Sequence, residues 1–136
     1  DGKSGVIRLD TDKLIDEDQR MTRRLGSSAW CSLKDQFNMM YAFDILLHNK
    51  GRQRNAMRYT SSDMRLILTD NENTLGVERG APRYLKSAVV AVPAYLKSQL
   101  QQMDAQLLED MLGDVLDAKR RKAILSRRNV LLKQSK

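Results

Sequence analysis

Asn55 closes the polar stretch "NKGRQRN" and Asp70 ends the apolar run "LILTD". An amide oxygen and a carboxylate, completed by water and phosphate oxygens, make the oxygen-rich shell that Mg²⁺ prefers. Phosphoryl transfer asks little covalent help of a protein. It needs a cation clamp on the phosphates and a group that orients the attacking hydroxyl. The spacing of Asn55 and Asp70 matters only if the chain between them turns back on itself.

The intervening residues meet that condition. "NAMRY" and "MRLILTDN" are short alternating or β-branched runs on either side of the turn-like "TSSD", which predicts a hairpin whose polar ends meet. Before it, a strong helix is expected to open after Ser27 or Ser28, with Trp30, Leu33, Phe37, Met40 and Tyr41 recurring at three- and four-residue steps. The same face then reaches Asp44 and His48, so a carboxylate and an imidazole stand where apolar groups would pack. Their simplest role is to cap or brace the following loop. Asn49 and Gly51 supply the helix stop.

After the hairpin comes a long polar loop, with Pro82 fixing its exit. Three helical pieces are expected at roughly 84–101, 103–113 and 114–134, with Asp104 and Asp114 as start residues for the last two. Pro93 either kinks the first or begins it. Residues 1–29 read as an arm or loosely attached segment in which Val6, Ile7 and Leu9 favour a short edge strand; residues 30–136 form the domain.

"AFDILLHNKGRQRNAMRY" followed by "MRLILTDNENTLG" resembles the C-lobe core of atypical kinases: HipA-type bacterial kinases, phosphoinositide lipid kinases and secretory-pathway kinases such as Four-jointed. Those families share an F-D-x-L-x-x-N helix end, a D-R-x-x-x-N catalytic loop and an I-D-N or I-D-H metal motif. The tail "AILSRRNVLL" is similar to the closing helix of bacterial members. The resemblance covers about residues 30–76 and, loosely, the tail. It implies an α+β, mostly helical C-lobe with a small hairpin between a long helix and a C-terminal bundle. It also implies ligand roles for Arg52, Asn55 and Asp70, with Asn55 and Asp70 on Mg²⁺ beside ATP, and a bracing role for Asp44 and Asn49.

The departures from the family pattern are chemical. The base position holds Gly51, or Lys50 if the shorter loop is slid, and neither is a carboxylate. No Gly-rich phosphate loop precedes the helix. The favoured expectation is therefore a degenerate kinase-like module that acts by protein binding, with Mg²⁺ and ATP held weakly or not at all. One alternative is a piece of a working ATP-dependent phosphotransferase, with Asp44 or Glu72 taking over as base.

Composition adds a third class. Hydrophobic residues are 41% and charged residues 30%, as in a folded globular chain, and the formal net charge is +7. Such charge favours acidic partners. Arg120, Arg121, Lys122, Arg127, Arg128 and Lys133 make the C-terminal helix a candidate surface for an anionic partner, so a basic subunit of a ribonucleoprotein assembly is the third reading. Aromatic stacking residues are absent from that helix. Met39, Met40, Met103 and Met111 read as adaptable core packing, and Cys31 as a small apolar filler. The chain has one cysteine and one histidine, too few for a zinc site. No apolar run is long enough to cross a bilayer.

Overall fold

Two amide side chains close the outer edge of a very small sheet, and the rest of the architecture is arranged around that sheet and one long helix. The computed structural model describes residues 14–26 and 31–134. The strand expected at Val6–Leu9, the caps expected at Ser27 and Ser28, and Trp30 lie outside them.

β1 (Leu14–Asp16) leads directly into α1 (Glu17–Thr22), which Asp16 opens by accepting the Gln19 N–H at 2.7 Å while the Gln19 side chain returns to the Asp16 N–H. α2 (Leu33–Leu47) is capped by Ser32, whose hydroxyl oxygen accepts the Asp35 N–H at 3.1 Å. A 3₁₀ turn at Arg54–Ala56 feeds β2 (Met57–Thr60), and β3 (Leu66–Leu68) returns antiparallel. The expected hairpin is thus present. It gains a third strand, because β1 pairs antiparallel with the other side of β2, giving the order β1-β2-β3.

Antiparallel pairing alternates backbone groups between the partner and the open side. Arg65 O accepts from Thr60 N–H on β2, and Thr69 N–H donates to Ala56 O just before it, so Leu66 turns its N–H outward. Gln36 on α2 accepts that N–H at 2.6 Å and donates to Met64 O at 3.1 Å, and Asn71 donates to Leu68 O at 3.2 Å.

The C-terminal half is helical: α3 (Ala94–Gln102), α4 (Ala105–Leu112) and α5 (Ala118–Gln134). Pro93 takes the cap position of α3 and begins it rather than kinking it. Asp104 caps α4, as expected. Asp114 does not cap α5; Asp117 does, accepting the Arg120 N–H at 2.8 Å. Residues 84–93, expected to be helical, hold only part of a 3₁₀ turn (Arg83–Leu85). α5 packs on α2, and the core between them contains Ala42, Ile45, Leu85, Val90, Leu100 and Leu131. The chain is α+β, predominantly helical, with one small antiparallel sheet.

Candidate functional site

α2 carries Asp44 on its buried face, one turn past Met40 and two past Gln36. Its carboxylate is wholly buried, and four donors converge on it. Oδ1 accepts Arg52 Nη2 at 2.6 Å and Asn49 Nδ2 at 3.1 Å; Oδ2 accepts the Tyr84 hydroxyl at 2.6 Å and Arg52 Nε at 3.1 Å. Burial, and then the bond to Asp44, push the Tyr84 phenol upward, so it stays a donor across the ordinary pH range.

Arg52 is as deeply enclosed, at 2% side-chain exposure. Its remaining donors reach Thr69 O at 2.8 Å and Asn71 Oδ1 at 2.8 Å. One guanidinium thus ties the loop after α2 to the turn after β3. This corrects the ligand role expected of Arg52: its donors are committed to the protein, so it positions the loops rather than meeting a phosphate. The same saturation removes Asp44 as a candidate base. Bracing by Asp44 and Asn49 is what the geometry provides, since Asn49 also accepts the Gly51 N–H through its side chain at 3.3 Å.

The helix stop falls one residue earlier than Asn49. His48 adopts the left-handed conformation at φ 54°, and its Nδ1 bonds Gly80 O at 3.0 Å. The loop after Asp70 is held at further points: Leu75 N–H donates to Leu47 O at 2.6 Å, Lys50 pairs with Glu78 at 3.4 Å, and Arg127 donates to Gly76 O at 3.2 Å and to Glu78 O.

Between the two tied loops lies a polar cleft of about 180 Å³, lined by Gly51, Gln53, Asn55, Ala56, Asp70, Glu72 and Asn73. Asn55 and Asp70 therefore share one cleft, with Gly51 on its wall. Asp70 is exposed and left-handed at φ 52°, an uncommon conformation for a non-glycine residue and one that recurs at functional sites. A Cβ built on Gly51 meets nothing within 4 Å, and its φ is not positive. The backbone does not require glycine there. Glu72, named from the sequence as an alternative base, lies on this wall, whereas Gln53 and Asn73 line it without having been singled out; their place in the two polar loops was the available signal.

The basic tail presents only part of the cationic face expected of it. Arg127 is wholly buried and also donates to Leu46 O at 2.8 Å; burial lowers its proton affinity. The reason is geometric: its position on α5 faces the C-terminal carbonyls of α2, which need donors. Arg128 donates to Met103 O, Arg120 pairs with Asp117, and Arg121 pairs with Glu109. Lys122 and Lys133 are exposed, as is Arg120. Met111, expected in the core, is 70% exposed, because α4 turns Leu108 toward α5 instead.

Among the described residues no group of three His, Cys, Asp or Glu side chains is placed to hold a metal, and no helix is long and apolar enough to cross a membrane. An Asn–Asp pair completed by water and phosphate needs no such cage. No family model matches the chain, and neither a curated protein nor a solved structure matches it.

Proposed function

We propose that the chain is a kinase-like C-lobe module with a degenerate catalytic loop, which acts by binding and does not transfer phosphate at an appreciable rate. The observation that carries this reading is the composition of one cleft wall: Asn55 and Asp70 line it together, and Gly51 lines it without a side chain. The donors suit a hard cation, since Asn55, Asp70 and Glu72 offer oxygens only. Mg²⁺ held there would neutralise charge on nucleotide phosphates. The protein's own part is to hold the two loops at a fixed separation, which the Asp44–Arg52 bond does from beneath. A proton acceptor at the position of Gly51 is missing.

Thermal unfolding with and without Mg²⁺–ATP tests this reading, because a ligand that prefers the native state raises its stability. The expected result is a rise in melting temperature that Asp70→Asn removes, with no phosphate release above background. A wild-type chain indifferent to Mg²⁺–ATP, or one that hydrolyses it, overturns the proposal.

A second reading is favoured by one residue. Glu72 lies on the cleft wall and supplies a carboxylate that a working phosphotransferase would need as base. Phosphate transfer abolished by Glu72→Gln would establish it.

A further inference from the structure

Residues 104–117, "DAQLLEDMLGDVLD", contain five carboxylates and no lysine or arginine. Removing that −5 from the chain's +7 leaves +12 on everything else, so this stretch is an acidic island on a cationic molecule. It forms α4 and the turn that follows. Leu108 is buried and Leu112 half-buried, while Leu107, Met111 and Val115 are 40%, 70% and 74% exposed.

Those three recur at four-residue steps, and the stretch stays close to helical through the turn, with Gly113 N–H on Glu109 O at 2.8 Å and Leu116 N–H on Leu112 O at 2.8 Å. They therefore form one apolar stripe. Asp110 and Asp114 run beside it, three residues on from Leu107 and Met111. The other carboxylates are committed: Asp104 and Asp117 cap helices, and Glu109 pairs with Arg121. Asp110 accepts only a side-chain amide, Gln106 Nε2 at 2.8 Å, and Asp114 has no ion pair within the described residues.

An apolar stripe edged by carboxylates selects its partner by charge. Nucleic acid and anionic membranes are repelled by Asp110 and Asp114. We infer that the α4 face docks a cationic amphipathic helix of another protein, with Leu107, Met111 and Val115 meeting its apolar side and Asp110 and Asp114 its lysines or arginines. Met111, unbranched and polarizable, adapts such a contact to its partner. The face shares no residue with the Asn55–Asp70 cleft, and the inference does not rest on the function proposed for that cleft.

The test uses the full chain and a fluorescent synthetic Leu/Lys amphipathic helix, read by anisotropy. The peptide is expected to bind, to weaken as salt is added, and to lose about tenfold in affinity, the equivalent of one decade in Kd, with either Asp114→Lys or the pair Met111→Ser and Val115→Ser. Asp70→Asn should leave peptide binding intact, which separates this face from the cleft. All four substituted side chains are exposed, and circular dichroism melts verify that the variants fold. No binding, or equal binding by the variants, overturns the inference. Concentration-dependent dimers in sedimentation that Met111→Ser dissolves would assign the face to a second copy of the chain and overturn it too.

Discussion

Two carboxylate–arginine–tyrosine clusters hold this small molecule together, and they differ in how far along the chain they reach. In the first, Glu17 accepts Arg20 Nη2 and Nε, both at 2.7 Å, and the Tyr59 hydroxyl at 2.6 Å. The ion pair spans one helical turn, and only Tyr59 is distant, so the cluster pins β1 and α1 to the sheet. In the second, Asp44 gathers Asn49, Arg52 and Tyr84, and Arg52 goes on to Thr69 and Asn71. That cluster joins the end of α2 to both cleft loops and to the 3₁₀ turn beyond. The same three side-chain types serve attachment in one place and the shape of a site in the other.

The difference predicts an order of effects. Asp44→Asn should be the most damaging, costing about 3–5 kcal/mol, because it leaves the enclosed Arg52 without its counter-charge; chemical denaturation measures it. Arg127→Met, which frees Leu46 O, Gly76 O and Glu78 O from their buried donor, should follow at about 3 kcal/mol, with amide exchange quickening in residues 76–80. Glu17→Gln should cost about 1–3 kcal/mol and leave Mg²⁺–ATP binding unchanged. If it costs as much as Asp44→Asn, the contrast between a local and a long-reaching cluster fails.

Acid sharpens the same contrast. The bond from Arg20, opposed in part by burial, holds the Glu17 carboxyl below its ordinary 4.5. A depressed carboxyl contributes stability that is fully present above the ordinary value and is lost as pH falls through the folded one. Stability measured against pH should therefore decline on that acid limb, and Glu17→Gln should flatten part of the decline. Asp63 and Asp117 are also held low, by the Thr60 hydroxyl and by the Arg120 backbone N–H respectively, but they belong to pairs that water reaches and add little.

Tyr84→Phe removes one of four donors from Asp44 and should cost about 1.5 kcal/mol. A double-mutant cycle with Arg52 should show coupling, whereas Tyr84 and Glu17 should add independently. The smallest change in stability, under about 0.5 kcal/mol, belongs to Gly51→Asp, because nothing occupies the space its side chain would enter. Under the proposed function that substitution supplies the missing proton acceptor beside Asn55 and Asp70, so phosphate release from Mg²⁺–ATP should rise above the wild-type background.

Much of the cleft was legible in the sequence because its signals are local. The hairpin follows from alternation and a turn of Ser and Asp, and Asn55 and Asp70 sit at its two polar ends, so their meeting follows from chain reversal alone. Asp44 was conspicuous as a charge on an apolar stripe. β1 was not legible: three residues carry no periodicity, and its pairing with β2 is fixed by a fold that Tyr59 and Glu17 close from 42 residues apart. Arg127 was misread because a guanidinium in a run of cations is usually solvated, and its burial depends on carbonyls left over at the end of a different helix. Tyr84 stood at the junction of a long polar loop and an expected helix, where no pattern marks it, and its role exists only through Asp44.

Gln36 does for the sheet what a fourth strand would do, since its amide occupies the hydrogen-bonding positions of Met64 and Leu66 that a neighbouring chain would otherwise recruit. On that side a helix side chain closes the β3 edge of this short sheet to strand addition from solution. Gln36→Leu would unseal that edge, and strand addition there should then show as a rise in thioflavin fluorescence over the wild type on prolonged incubation.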